Sequence, residues 1–263
     1  MSCITLMTDF GIKDGNVGVM KGVIWRIAPQ AQIADLSHMI SPQNIPEAAL
    51  ILLRSGPYFP PGAIHLVVVD PGVGTNRRPM AARVGAQYFV GPDNGILTLW
   101  LESLAAQDLE TRFVELDRSE YWLPEVSHVF HGRDIFAPVA AHLARGVPLE
   151  KLGTPFANPV LLNLPQPVRT RSGFTGEIIH MDHFGNLSTN IRQEHLGQPE
   201  NVTVRLGGVE IHGLVKTFGE RSPGELVTLY GSTGNLIVSV VNGSAAQRLD
   251  THVGDPVQVE FEE

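Results

Sequence analysis

Residues 63–69, with the sequence AIHLVVV, decide the fold class of this chain, and the turn sequence Asp70-Pro71-Gly72 follows them at once. The run is apolar at nearly every position and rich in β-branched residues. Such a strand is typical of a parallel sheet that is buried on both faces. The stretch therefore predicts a central strand in a sheet that is covered on both sides.

The segments around this strand alternate between strand-like and helix-like patterns. After the first strand, Val17, Met20, Ile24 and Ile27 share one helical face, and Asp14 or Asn16 is the expected cap. The other expected elements are strands at 4–7, 32–36, 80–84 and 87–90 and helices at 44–53 and about 134–145. This alternation predicts an α/β domain with a mainly parallel sheet flanked by helices.

The composition changes in the second half of the chain. Prolines at positions 148, 155, 159, 165 and 167 predict a linker over residues 147–170. Short strands punctuated by glycine are then expected at 173–180, 202–206, 226–230, 236–241 and 256–261, as in a small β-barrel or sandwich. We expect an α/β domain at residues 1–165 and a smaller β-barrel domain at residues 170–263.

Charge and cysteine content restrict the class of protein. The net charge of -8 argues against nucleic acid as the main partner, because phosphate binding needs clustered Lys and Arg. Cys3 is the only cysteine, so no disulfide within the chain is expected. No signal-peptide pattern opens the sequence, and no stretch approaches the roughly 18 apolar residues of a membrane span. These features predict a cytoplasmic protein that does not act at a membrane.

Polar side chains lie where the predicted strands end, which is where open α/β sheets bind ligands. Asp9 follows the first strand, Asp70 follows the central strand, and His131 and Asp134 precede the last helix of this half. Each aspartate taken alone is more often a turn residue than a functional one. The glycine-rich segment 70–77 lacks the endings of phosphate and dinucleotide loops, so it does not indicate phosphate binding.

Two further patterns leave alternatives open. Residues 182–186, Asp-His-Phe-Gly-Asn, form either a plain hairpin loop or a stacking ring with hydrogen-bonding groups suited to a purine or an amino acid. The histidine pairs 128/131 and 180/183 are compatible with a metal site, but neither has helical His-x-x-x-His spacing or a supporting cysteine. We expect no metal.

Five motifs, in this order and spread over nearly the whole chain, resemble the family of S-adenosylmethionine hydrolases, also called hydroxide adenosyltransferases. The family is related to enzymes that fluorinate or chlorinate the same substrate. The motifs are Thr8-Asp9-Phe10-Gly11, Asp70-Pro71-Gly72-Val73-Gly74-Thr75, Gly91-Pro92-Asp93-Asn94-Gly95, the run from Phe130 to Pro138, and Asp182-His183-Phe184-Gly185-Asn186-Leu187.

The resemblance implies hydrolysis of S-adenosyl-L-methionine to adenosine and L-methionine, without metal or organic cofactor. Its triad of Asp, Arg and His falls on Asp70, Arg77 and His131, and the spacing favours Arg77 over Arg78. Water would attack the 5′ carbon of the ribose, and methionine would leave as a neutral thioether that needs no proton. A buried, unpaired Arg beside a sulfonium would be costly, so Arg77 is expected to pair with Asp70.

The resemblance also distinguishes water from halide as the nucleophile. Halogenating relatives carry a tyrosine at the position of Asp70 and lack a histidine at that of His131, and the fluorinating type has a serine at that of Gly132. Halogenation at the same carbon remains the nearest alternative. A non-catalytic protein that binds adenosine or S-adenosylmethionine is another, and a metallohydrolase is a third.

Other roles follow from the resemblance. Asp9 matches a residue that binds the ribose hydroxyls, and Gln43 replaces a tryptophan that packs on substrate in the halogenating enzymes. A homotrimer with active sites at subunit interfaces is also implied. The remaining matches are Asp182 and Ser188 for the methionine ammonium and carboxylate, Phe184 for packing, Asn186 for a polar contact, and Ser232 with Asn242-Gly243-Ser244 for adenine.

Overall fold

The computed structural model describes residues 2–105, 107 and 109–262, and the chain divides into two compact units, Met1–Leu162 and Asn163–Glu263. The seven strands described in the first unit form one sheet in the order β2-β1-β3-β5-β4-β6-β7. They are β1 (Cys3–Thr8), β2 (Gln32–Ser37), β3 (Ile64–Val68), β4 (Pro79–Val84), β5 (Gln87–Pro92), β6 (Thr111–Glu115) and β7 (Thr154–Phe156).

This sheet is mixed, and helices flank it, which confirms the α/β class. Strands β2, β1, β3 and β5 pair in parallel, whereas β5, β4, β6 and β7 pair antiparallel. The helices are α1 (Asn16–Ile27), α2 (Ile45–Ser55), α3 (Thr98–Ala105) and α4 (Ala137–Ala144).

The strand β3 is apolar except at the buried His65, because each of its faces contributes to a different hydrophobic core. Leu66 and Val68 pack in the core with residues of α1 and α4, and Val67 and Val69 in the core with residues of α2 and α3. Side chains alternate between the two faces of a strand, so a strand covered on both sides needs apolar residues at most positions. The predicted central strand is confirmed.

The start of α1 differs from the expectation. Its N-cap is Gly15, in a left-handed conformation with φ 72°, and no side chain caps the helix. The predicted cap at Asp14 or Asn16 is therefore wrong. By contrast, Asn44 caps α2, its side chain accepting a hydrogen bond from the Glu47 amide.

The second unit is a nearly closed antiparallel barrel with its own core. Its described strands are β8 (Val168–Arg169), β9 (Gly173–Met181), β10 (Leu187–Arg192), β11 (Glu200–Leu206), β12 (Val209–His212), β13 (Leu226–Tyr230), β14 (Asn235–Val240) and β15 (Pro256–Glu262). The order is β12-β11-β15-β9-β10-β14-β13, with β8 beside β9. The Val215 amide donates to the Thr228 carbonyl, which joins β13 to the segment that follows β12.

Two short helices, α5 (Gln193–Leu196) and α6 (Ala245–Leu249), belong to the barrel unit. The predicted β-barrel architecture of the second half is confirmed. In the part of the chain that the structure describes, no helix is long and apolar enough to cross a membrane.

Candidate functional site

The carboxyl ends of three adjacent strands meet at one edge of the first sheet. Strand β1 lies parallel to β3, with Thr8 opposite Val68, and β3 lies parallel to β5. Asp9, Asp70 and the segment 93–94 follow these three strands, so they share one edge. Ligands of open α/β sheets bind at this edge, and the candidate residues of this unit gather there.

Asp70, Arg77 and His131 are in contact. Arg77 Nε donates to both carboxylate oxygens of Asp70, at 2.9 and 3.0 Å, and one terminal nitrogen donates to Oδ2 as well. The same terminal nitrogen lies 2.9 Å from His131 Nδ1. The Asp70 and Arg77 side chains are only 5% and 10% exposed, so the Arg77 charge is balanced where it is largely removed from water.

The hydrogen bond from Arg77 determines the protonation of His131. A guanidinium has donors and no acceptor, so His131 must accept at Nδ1 and carry its proton on Nε2. Burial, and next the Arg77 cation, lower the pKa of His131 from its ordinary value. The imidazole is therefore neutral at neutral pH, with one N–H group to donate.

His131 precedes an irregular helical turn. Residues Gly132–Phe136 form one turn of π-helix that continues into α4, instead of the regular helix start expected near residue 134. The Asp134 side chain is fully buried; it accepts from the Ser127 amide at 2.8 Å and pairs with Arg133. These contacts close the loop 127–134 around His131. Such π-turns occur often at functional sites.

The loop that follows β2 holds Asp9. The Gln43 amide donates to Asp9 Oδ2 at 2.8 Å, and Gln43 itself has φ 64°, a conformation that is uncommon outside glycine. His38 holds this turn through two contacts. Its backbone carbonyl accepts from the Gly11 amide at 2.8 Å, and its imidazole Nδ1 shares a hydrogen bond with the Thr8 hydroxyl. The position of Asp9 is thus fixed on both sides along the chain.

In the barrel unit, the carboxylate of Asp182 caps its own hairpin. Its Oδ1 accepts from the amides of Phe184 and Asn186, both at 2.9 Å, and its Oδ2 accepts from the Asn186 side chain at 2.7 Å. The predicted hairpin loop at residues 182–186 is confirmed, since these residues connect the paired strands β9 and β10. A ligand role for Asp182 would have to be additional to this structural one.

The structure brings some of the other barrel residues together. The Phe184 ring is exposed, Ser188 is buried in β10, and the hairpin contacts the start of α6, where the Ala246 amide donates to the Gly185 carbonyl. Asn242, in the turn between β14 and α6, is exposed. Ser232 lies in the turn before β14, at the other end of this strand, about 17 Å from the Asn242 end at the usual rise per residue.

Some residues at this edge received no role from the sequence. Arg78, Asp93 and Asn94 form contacts beside the triad, and His38 supports the Asp9 turn. Asp93 and Asn94 belong to one of the five motifs. The motif indicated that this segment is important for the family, but it did not indicate what these two residues contact. Nothing in the sequence near His38 indicated its contacts, which depend on pairing with distant residues. Among the described residues, no group of three His, Cys, Asp or Glu side chains could hold a metal ion.

Comparisons with known proteins agree with the five motifs. The sequence profiles of the SAM hydroxide adenosyltransferase N-terminal and C-terminal domains match residues 4–153 and 176–258. An (R)-S-adenosyl-L-methionine hydrolase of Salinispora tropica is 41% identical over 260 residues, 97% of each chain. A fluorinase of Actinoplanes sp. is 27% identical over 90% of each chain.

A solved structure is also similar. The crystal structure of an uncharacterized conserved protein from Thermotoga maritima has a TM-score of 0.87 and 39% sequence identity, covering 97% of this chain and 99% of that one.

Proposed function

This chain belongs to the SAM hydroxide adenosyltransferase family, and from this membership we propose that it hydrolyses S-adenosyl-L-methionine to adenosine and L-methionine. Asp70, Arg77 and His131 are the catalytic residues of this proposal. The observation that carries it is the single guanidinium of Arg77, which binds the carboxylate of Asp70 and the imidazole of His131 together.

The reaction needs a better nucleophile than free water. A carboxylate has about four lone-pair sites, so Asp70 can accept a hydrogen bond from a water molecule in addition to those from Arg77. The Nε2–H group of His131 donates to the oxygen of that water and orients its lone pair. Asp70 then takes the proton as the oxygen attacks, and a positioned base of this kind contributes typically about 10²–10⁴-fold.

The reaction needs no proton donor to balance the bonds that form and break. The water oxygen forms a bond to the 5′ carbon, the bond from that carbon to sulfur breaks, and its electron pair goes to sulfur. Methionine leaves as a neutral thioether, and the proton passes from Asp70 to solvent. Because the Asp70–Arg77 pair is neutral as a whole and His131 is uncharged, the triad does not repel the sulfonium.

The remaining predicted residues are proposed as ligand contacts. Asp9 binds the ribose hydroxyls, which suits a carboxylate whose second oxygen is oriented by the Gln43 amide. The hairpin residues Asp182, Phe184 and Asn186, with Ser188, contact the methionine part, and Asn242 contacts adenine. Ser232, in the turn at the other end of β14, is proposed for adenine as well.

We also propose that the chain assembles as a homotrimer with active sites at subunit interfaces, as the resemblance implies. The exposed Phe184 ring is compatible with burial against another subunit or a ligand. Light scattering of the purified protein tests this, and a monomer would contradict it.

Labelled water tests the reaction. The purified protein is incubated with S-adenosyl-L-methionine in water enriched in heavy oxygen, with and without added chloride or fluoride. We expect one labelled oxygen in the 5′ hydroxyl of adenosine and none in methionine. A 5′-haloadenosine would favour halogenation, and tight binding without turnover would favour a non-catalytic protein. The hydrolysis is contradicted if no labelled adenosine forms.

A further inference from the structure

Two adjacent arginines directly before β4 bind different carboxylates. Arg77 binds Asp70, whereas Arg78 donates from Nε to Asp93 Oδ2 at 2.9 Å. Arg78 also donates to the Asn158 carbonyl at 2.7 Å, and its guanidinium lies over the Phe156 ring, 4.2 Å from the centroid. Arg78 is therefore held on three sides by groups that do not belong to the triad.

Asp93 is the more deeply buried partner of this pair. Its side chain is 1% exposed, and its Oδ1 accepts from the Val160 amide at 2.8 Å. The backbone is joined as well, since the Asp93 amide donates to the Arg78 carbonyl at 2.9 Å. Removing Arg78 would leave the buried Asp93 carboxylate without compensation, which is strongly unfavourable.

Within the first unit, the contacts of Arg78 and Asp93 hold residues 156–162, which we call the strap, against the turn after β5 and the residue before β4. The strap lies within the proline-rich segment that the sequence predicts to be a linker. At its end, the Leu162 amide donates to the Thr98 hydroxyl at 2.8 Å. Gly95 makes room for the strap, because a Cβ at that position would lie 2.6 Å from Leu162 Cγ.

The Arg78–Asp93 pair is connected through the backbone to both Asp70 and Arg77. Arg78 directly follows Arg77. On the other side, Asn94 directly follows Asp93 and donates from its side chain to the Val69 carbonyl at 2.9 Å, and Val69 directly precedes Asp70. One partly buried ion pair thus anchors the chain beside Arg77 and beside Asp70.

We propose that Arg78 and Asp93 are positioning residues that hold Asp70 and Arg77 in register for the hydrolytic triad. The proposal rests on the proposed function of that triad. Its physical basis is the pair of backbone connections described above. Without the Asp93 carboxylate, Arg78 loses its ion-pair partner and the Asp93-Asn94 turn loses its hold on the strap, so the segments that carry Arg77 and Asp70 are less firmly held. Arg77 would then move away from His131.

The test is Asp93→Asn, compared with Leu104→Ala as a control. The asparagine keeps the size of the side chain and one acceptor oxygen but removes the charge. Leu104 lies in α3, in a core of the same unit, so its truncation lowers stability without touching the pair or the triad. For Asp93→Asn we expect kcat to fall by about 10- to 100-fold, with the Kd for adenosine changed less than about threefold.

A second measurement does not depend on turnover. The titration of the His131 imidazole is followed by NMR, since the Arg77 cation is one cause of its lowered pKa, together with burial and the nearby Asp70, Asp134 and His128. If Arg77 moves away in Asp93→Asn, the pKa of His131 rises towards its ordinary value. It should stay unchanged in Leu104→Ala.

These readouts separate the possible failures. If wild-type protein does not hydrolyse S-adenosyl-L-methionine, the proposed function fails, and the His131 titration still decides the positioning role. If Asp93→Asn shows the same kcat and the same pKa of His131 as Leu104→Ala, the pair is merely structural and the proposal is overturned. Should Asp93→Asn not fold, Arg78→Lys and Phe156→Leu give the same comparison with smaller changes.

Discussion

Gly74 lies against the carbonyl oxygen of His128, so closely that a Cβ at residue 74 would overlap this oxygen. The contact joins the loop that carries Asp70 and Arg77 to the loop that carries His131. Gly74 also has φ 76°, which an L side chain rarely adopts. The absence of a side chain at this one position lets the two halves of the triad meet.

Replacing Gly74 should therefore separate the triad. For Gly74→Ala we expect kcat to fall by at least about tenfold, since misplacement of catalytic groups by about 1 Å is costly. The control is Gly62→Ala, which has a similar φ of 81° and nothing within 4 Å of the added Cβ. Both variants should lose about 1–3 kcal/mol of stability from backbone strain. Equal turnover in the two variants would show that the contact with His128 has no catalytic consequence.

Asp70→Asn tests the base. The amide keeps the shape of the side chain but cannot take a proton, so we expect turnover to fall by about 10²–10⁴-fold while adenosine binding changes little. Kinetics and calorimetry measure the two effects. Asp117→Asn, at an exposed carboxylate of the same unit, should leave turnover as in the wild type. If Asp70→Asn loses binding and turnover equally, Asp70 is a structural turn residue.

The dependence of kcat on pH should reflect the neutral His131. Its pKa in the folded protein is lowered, mainly by burial and then by Arg77, below the value of about 6.5 in an unfolded chain. The folded state thus favours the neutral imidazole. The contribution of this imidazole to the stability of the folded state is complete above a pH of about 6.5 and is lost as the pH falls through the lowered pKa. We expect kcat to fall below a pH of about 6.5 as His131 becomes protonated, and we expect this fall to be absent in His131→Asn. An acid limb at higher pH would contradict this assignment.

Asp182→Asn separates the two roles of Asp182. The neutral amide cannot pair with an ammonium group, so we expect the KM for S-adenosyl-L-methionine to rise by about tenfold with kcat little changed. The matched control is Asp255→Asn, since Asp255 also caps its own turn, accepting from the His252 amide. Both variants should lose similar stability in chemical unfolding. An unchanged KM would mean that Asp182 only closes the hairpin.

Local patterns were sufficient for much of the fold. The apolar run at 63–69 predicted β3 within one residue at each end, because burial on both faces selects apolar residues at nearly every position. The helix α3 was not predicted. Its sequence is apolar at most positions, and such a run has no helical periodicity to distinguish it from a strand.

Long-range pairing explains what the sequence did not indicate. The predicted linker contains strand β7 and the strap, because backbone amides of Val160 and Leu162 find acceptors on Asp93 and Thr98. Prolines predict the absence of regular structure but not the absence of contacts. Likewise, the resemblance favoured Arg77 over Arg78 for the triad, but the partner of Arg78 was not indicated, since Asp93 follows a different strand from Asp70.

The π-turn at Gly132–Phe136 makes the number of residues in this segment critical. It contains one residue more than an ordinary helical turn. Deleting a single residue here would convert the π-turn into an ordinary helical turn and rotate the preceding chain by about 100° around the axis, which would move the His131 imidazole away from the Arg77 guanidinium. The length of this segment is therefore fixed by the contact between His131 and Arg77.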